Sequence, residues 1–226
     1  MMALNIARAA GRGLRVLCLG AHADDIEIGC GGTILDLLRQ RADVSVHWVV
    51  FSAAAVRAEE ARRSADQFLR QGRHSTVDLH EFRDGYFPYV GAEIKGVFES
   101  LKQSEPPDLV FTHQSHDQHQ DHRLISQLTW NTFRDHWILE YEIPKYDGGL
   151  TTPNLYVPLA ESTRSTKIDL LMESFASQRD KPWFTPETFL GLSRLRGLEC
   201  ASPTGYAEGF HLRKATLDWR GLTGQS

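Results

Sequence analysis

Between residues 112 and 123 the chain reads THQSHDQHQDHR. His113, His116, His119 and His122 recur there at three-residue intervals, with Asp117 and Asp121 between them. Far upstream, residues 21–33 read AHADDIEIGCGGT, which places His22, Asp24 and Asp25 within four positions. Zinc binds through histidine nitrogen and carboxylate oxygen, and its catalytic sites use three protein ligands with water in the fourth position. His22, Asp25 and one histidine of the second cluster supply that count. Two acids at the end of a buried strand also need a cation or hydrogen bonds to offset their burial. The competing reading is structural: Asp24 or Asp25 caps the helix that follows.

Glycines between a first strand and a first helix also occur in dinucleotide folds. GCGGT (29–33) lacks the G-x-G-x-x-G spacing, however, and two acids stand where a pyrophosphate would approach. For Gly29, Gly31 and Gly32 the sequence suggests a tight turn and close helix packing.

The elements that must position these residues follow from periodicity. Short apolar runs at 15–22, 44–52, 77–82, 108–113 and 137–143 read as strands. Helical spacing marks 33–41, 56–72, 92–103 and 124–136. Such alternation predicts a Rossmann-like three-layer α/β sandwich with a mostly parallel sheet. Ligands bind such sheets beyond the carboxyl ends of the strands, where both histidine-bearing stretches fall. The last third is less regular, with loop and strand over 147–160, helices over 166–178 and 186–197, and a closing strand over 206–216. The whole of 1–226 reads as one domain, with 1–14 a poorly ordered lead-in.

Composition narrows the class. The 226 residues are 41% hydrophobic and 24% charged, with a formal charge of −4. No concentrated basic patch suggests a nucleic-acid partner. No run approaches the roughly 18 apolar residues of a membrane span, and the N-terminus lacks a signal-peptide core. Cys18, Cys30 and Cys200 are odd in number and widely spaced, so they suggest a reducing cytoplasm rather than a disulfide framework.

Taken together, AHADDIEIGCGGT and HQDHR resemble the motifs of the PIG-L/LmbE-like zinc N-deacetylases, approximately [AP]-H-P-D-D-x-E-x-G-x-G-G-T and H-P-D-H. Ala23 and Gln120 replace the two prolines of those patterns, at positions that carry no ligand. The resemblance implies one zinc per chain, held by His22, Asp25 and His122. It also implies Asp24 as general base, His119 as catalytic histidine and Asp121 as the acid that orients His119. Asp117 matches a substrate-facing polar position. Arg57 and Glu60 match an R-x-x-E-x-x-x-A stretch whose arginine lines the substrate pocket, although Ser64 stands in place of the alanine; the bland alternative is a salt bridge from Arg57 to Glu60.

On that resemblance the activity is hydrolytic removal of an acyl group, acetyl first, from a small N-acylated amino sugar. Two rivals stay open: a zinc amidase acting on a thiol conjugate or other non-sugar amide, and a non-catalytic nucleotide- or sugar-binding protein. Another divalent metal suits the same donors, and homo-oligomerisation is left open. His113 ends its strand and buttresses the site, and Glu142, Lys145 and Tyr146 are candidates to face a sugar. His47, His74, His80, His116 and His136 read as structural or surface residues, and His211 is unassigned.

Overall fold

The computed structural model describes residues 13–72 and 74–216. All but the last two residues of the lead-in read over 1–14 lie outside them, and Leu14 already opens the first strand. In chain order the elements are β1 (Leu14–His22), α1 (Asp25–Gln40), β2 (Val44–Ser52), α2 (Val56–Phe68), β3 (His74–Leu79), α3 (Gly91–Gln103), β4 (Leu109–His113) and α4 (Gln120–Thr132). They continue with β5 (Trp137–Tyr141), β6 (Leu155–Pro158), α5 (Glu161–Ser174), α6 (Pro186–Glu199) and β7 (Ala207–Leu212). Short 3-10 turns lie at Phe87–Tyr89 and Ala176–Gln178.

One seven-stranded sheet runs β3-β2-β1-β4-β5-β7-β6. The first five strands are parallel, while β7 is antiparallel to both β5 and β6. Alternation along β1 sends Val16 and Cys18 into one core, with α1, α2, α5 and α6, and Leu17, Leu19 and Ala21 into the other, with α3 and α4. Central strands buried on both faces read as the continuous apolar runs of a doubly covered parallel sheet. No helix among the described residues is long and apolar enough to cross a membrane.

From β1 the chain goes outward to β2 and β3, then returns to the other side of β1 for β4 and β5. That reversal opens a crevice beyond the carboxyl ends of β1 and β4. His22 closes β1 and His113 closes β4, so the two motifs meet there.

Several boundaries depart from the periodicity. α1 begins at Asp25 rather than residue 33, so Gly29, Gly31 and Gly32 lie inside a helix and form no turn. Their close packing stands. A Cβ on Gly29 would sit 2.1 Å from Tyr141 Cδ2, and one on Gly31 would sit 2.6 Å from Phe68 Cε1. Intimate contact with β5 and α2 overrides the poor helix propensity of glycine. α4 likewise starts at Gln120, capped by the His119 side chain accepting from the Asp121 amide. β3 lies three residues earlier than its apolar run suggested, and α5 occupies 161–174 rather than 166–178.

Candidate metal centre

The site is built where β1 passes into α1 and β4 passes through a loop into α4. His22 Nδ1 lies 3.1 Å from His122 Nε2 and 3.4 Å from Asp25 Oδ2. His122 Nε2 is 3.5 Å from Asp25 Oδ1. Ligands on a tetrahedral zinc, with bonds of about 2.0–2.1 Å, stand about 3.3–3.4 Å apart. The three residues thus form a triangle with separations near that spacing, its two edges to Asp25 ending on different carboxylate oxygens. His22 and His122 also group with His119, and Asp25 and His122 with His113, among the described residues.

The remaining nitrogens fix the tautomers. His122 Nδ1 donates to Asp117 Oδ2 at 3.0 Å. His22 Nε2 faces Asp121 Oδ2 at 3.2 Å and Asp84 Oδ1 at 3.1 Å. Each imidazole thus offers a carboxylate its protonated nitrogen and turns the lone pair of the other inward, the arrangement that outer carboxylates impose on metal-binding histidines. Asp25 is aimed by its own turn, since Oδ2 accepts the His22 amide at 2.6 Å.

His113 is close but differently employed. Its Nε2 lies 3.3 Å from Asp25 Oδ2, yet it accepts the Ala21 amide at 3.0 Å, which occupies the lone pair a metal would need. The ring stacks on His122 with centroids 3.9 Å apart. His113 therefore supports His122 from beneath, as a buttress.

The charge states follow from burial and neighbours. Burial pushes the pKa of His122 down to about 3, so it stands neutral. Burial opposes a charge on His22 too, but hydrogen bonds to Asp121, Asp25 and Asp84 outweigh it and raise its pKa well above the usual value. In the absence of a cation His22 keeps a proton among these acids. Burial raises Asp24, and the Arg57 guanidinium, whose Nη2 donates to Asp24 Oδ1 at 2.9 Å, opposes the rise.

Two roles suggested by the resemblance are met differently by the geometry. The Asp121 carboxylate does not touch His119. It faces His22 Nε2 and accepts the Gly85 amide at 2.7 Å and the Phe87 amide at 3.2 Å. What His119 receives from residue 121 is the backbone N–H, at 3.3 Å from its Nδ1. Burial and the charge on His22 lower the His119 pKa, which favours the neutral ring with Nδ1 as the acceptor. Asp117 does not face open space either. It is fully buried, with Oδ1 on the His119 amide at 2.7 Å and Oδ2 on His122 and on Lys145 Nζ at 2.6 Å. It organises both histidines from below.

Arg57 reaches the site through Asp24, and its Nη1 stands 3.8 Å from Glu60 Oε2. Glu60 mainly serves elsewhere, accepting from the amide and hydroxyl of Ser177. Glu142 is bound by Arg196, and Lys145 turns inward to Asp117, so neither is presented to a sugar. His116 takes no part in the triangle.

The sequence reading missed Asp84. It sits in RDGY after β3, where Gly85 adopts φ +77°. A D-G turn beyond the carboxyl end of a strand was the available signal.

The family model for PIG-L, GlcNAc-PI de-N-acetylase, matches residues 17–133, a span holding all three donors of the triangle with Asp24 and His119. The uncharacterized deacetylase YaiS of Escherichia coli K12 is 29% identical over 140 residues, 57% of this chain and 74% of that protein. Among solved structures, N,N'-diacetylchitobiose deacetylase from Pyrococcus horikoshii aligns with a TM-score of 0.65 at 20% identity, covering 92% of this chain and 88% of that one. GalB, the 4-carboxy-2-hydroxymuconate hydratase of Pseudomonas putida KT2440, aligns with a TM-score of 0.72 at 16% identity, covering 91% and 98%. At such identities the two structures establish the fold, and the site must carry the chemistry.

Proposed function

The chain belongs to the PIG-L family of de-N-acetylases, and on that footing we propose that it hydrolyses the N-acetyl group of a small amino-sugar substrate, using zinc held by His22, Asp25 and His122. The observation that supports this reading is the convergence of His22, Asp25 and His122, with closest separations of 3.1, 3.4 and 3.5 Å to one or other Asp25 oxygen, and with the outer nitrogen of each imidazole on a carboxylate. A dication bound there supplies Lewis acidity to a water molecule and to the acyl oxygen.

The protein groups divide the remaining work. Asp24, next in sequence to Asp25 and outside the triangle, accepts the proton of the attacking water and returns it to the amine nitrogen as the C–N bond breaks. Its burial favours holding that proton, and Arg57 keeps the carboxylate aimed. His119, with Nδ1 committed to the Asp121 amide, has Nε2–H to donate to the acyl oxygen as negative charge gathers there. Asp117 fixes the base of the His119 loop and the His122 ring together, so donor and ligand keep their spacing. The deacetylase named for Pyrococcus horikoshii supports an N-acetylated sugar as substrate. The three cysteines, all buried and unpaired, support a reducing compartment, the cytoplasm.

The test is release of acetate and free amine from a panel of N-acetyl amino sugars. Asp24→Asn is expected to lose about 10²–10⁴-fold in rate, the usual contribution of a general base, while keeping its metal. No acetate from any sugar, or full activity in Asp24→Asn, would overturn the reading. Hydration of an unsaturated acid without acetate release would move it to the activity named for the Pseudomonas putida protein.

A further inference from the structure

The stretch GCGGT ends the first motif without supplying any group to the metal triangle. Its last two residues have a partner far along the chain. Inside α1, the amides of Gly32 and Thr33 donate to the Glu208 carboxylate at 2.8 and 2.7 Å, and the Thr33 hydroxyl donates to it at 2.6 Å. A Cβ on residue 32 would stand 2.9 Å from Glu208 Oε1, so glycine is what lets the carboxylate reach the helix backbone. Lys167 completes the contact. Its Nζ donates to Glu208 Oε1 at 2.6 Å and to the carbonyl oxygen of Ile28 at 2.6 Å. Lys167, Glu208 and Thr33 are all buried.

In an α-helix the carbonyl of residue i and the amide of residue i+4 form one rung of the ladder. The Ile28 carbonyl and the Gly32 amide are the two ends of such a rung. Lys167 binds its acceptor and Glu208 its donor, so the ion pair lies across the backbone of α1. Ile28 in turn donates its own amide to the Asp24 carbonyl at 3.0 Å. Lys167 is thus one residue and one hydrogen bond away from Asp24, and Asp25 is the first residue of the same helix.

The two charges come from α5 and β7, beyond residue 133 where the family match ends. A buried ion pair is a poor source of stability, because desolvation offsets most of the attraction and apolar residues of similar volume do as well or better. The helix does not require the pair either, since the Ile28 carbonyl and the Gly32 amide can serve each other. What apolar packing cannot supply is direction. The pair ties α1 at a fixed point along its axis to β7, which is itself hydrogen-bonded to β5 and β6.

Resting on the deacetylase reading, we infer that Lys167 and Glu208 are positioning residues, an ionic clamp that sets α1 against β7 and so places Asp24 and Asp25 relative to His22 and His122. Catalytic groups tolerate little misplacement, since an error of about 1 Å costs on the order of 10²-fold in rate.

The test is the double variant Lys167→Met/Glu208→Met. Either single change leaves a lone buried charge and destabilises the fold. The double change removes both charges at similar volume and leaves the rung of α1 free to close. Three quantities are measured: thermal melting of the metal-free protein, zinc affinity by competition with a chromophoric chelator, and the kinetics of acetate release from N-acetylglucosamine. The expected result is a melting temperature at or above that of the wild type, with zinc affinity lower by about tenfold or more, as when a metal ligand loses its outer support. On the substrate, kcat should fall about tenfold or more while KM is unchanged. Thr33→Val, which removes one donor to Glu208 and keeps the ion pair, should show a smaller loss of zinc affinity in the same direction. A pair that only holds the fold together would give the opposite pattern, a lower melting temperature with wild-type zinc affinity and kcat in the folded protein. That pattern, or wild-type affinity and kcat at unchanged stability, would overturn the inference. Wild-type protein that takes up zinc and releases no acetate counts against the deacetylase reading alone, and the zinc affinities of the wild type and the variants then decide the inference.

Discussion

The Asp121 carboxylate lies 3.2 Å from Nε2 of His22, at the ring nitrogen opposite the one that faces His122 and Asp25. The same carboxylate accepts the amides of Gly85 and Phe87, so the loop after β3 and His22 at the end of β1 share one anchor. The residue that the resemblance assigns to orienting His119 is therefore in contact with His22, the proposed metal ligand. The consequence is that its loss should be felt in metal affinity before it is felt in His119.

Asp121→Asn is expected to weaken zinc binding about 10–100-fold, the range for loss of an outer-shell partner. With its oxygen in the Oδ2 position the amide can still accept from His22 and from the Gly85 amide, but its NH2 then stands against the Phe87 amide that Oδ1 now accepts. Competition with a chromophoric chelator measures the change. Unaltered affinity would show that Asp121 acts elsewhere.

Two glycines should respond in opposite directions to the same substitution. Gly29→Ala places a methyl group 2.1 Å from Tyr141 Cδ2, and Tyr141 is locked by its hydroxyl bond to Leu19 O at 2.7 Å. Overpacking of this kind costs about 1–3 kcal/mol, sometimes more. Gly96, exposed within α3, has nothing within 4 Å of its Cβ direction, so Gly96→Ala is expected to stabilise by about 0.5–1 kcal/mol. Urea denaturation of both variants checks the pair.

Glu27 gives a pH dependence with a definite sign. It is fully buried, neither carboxylate oxygen has a hydrogen-bond partner of normal geometry, and the Ser64 hydroxyl lies nearby. Burial pushes its pKa up to about 8. A carboxyl raised in the folded state contributes stability that is complete below the unfolded value, near 4.5, and is lost as pH rises through about 8. Glu27→Gln cannot titrate. In metal-free protein its stability relative to wild type should climb between those two pH values, by on the order of 4 kcal/mol, and then level off. A constant difference across that window would mean that Glu27 is ionised in the fold.

The sheet and the meeting of the two motifs were legible in the sequence because both depend on local pattern. β-branched and apolar runs mark β1, β2 and β4, and His22 and His113 close β1 and β4. The helical glycines of α1 were not legible, since Gly29 and Gly31 are required by Tyr141 and Phe68, residues far along the chain. Thr33 and Gly32 are held in the same way from a distance, by Glu208 on β7, which Lys167 of α5 neutralises. Nor could spacing alone show that Asp121 reaches His22, or that Lys145 turns inward to Asp117. Asp121 comes from the first turn of α4 and Lys145 from the loop after β5, and no periodicity encodes how those segments meet. The residues of both motifs were readable, whereas their contacts, and Asp84 altogether, were not.

The central claim is the metal-binding triangle, and the measurement closest to it is the zinc content of purified protein, wild type beside His122→Ala, after equilibration with zinc and desalting. The expected result is about one zinc per chain in the wild type, as a three-ligand catalytic site requires, and a large loss in a variant that still melts cooperatively. A wild type that remains empty when zinc is supplied, or a His122→Ala protein that keeps a full equivalent, would contradict it.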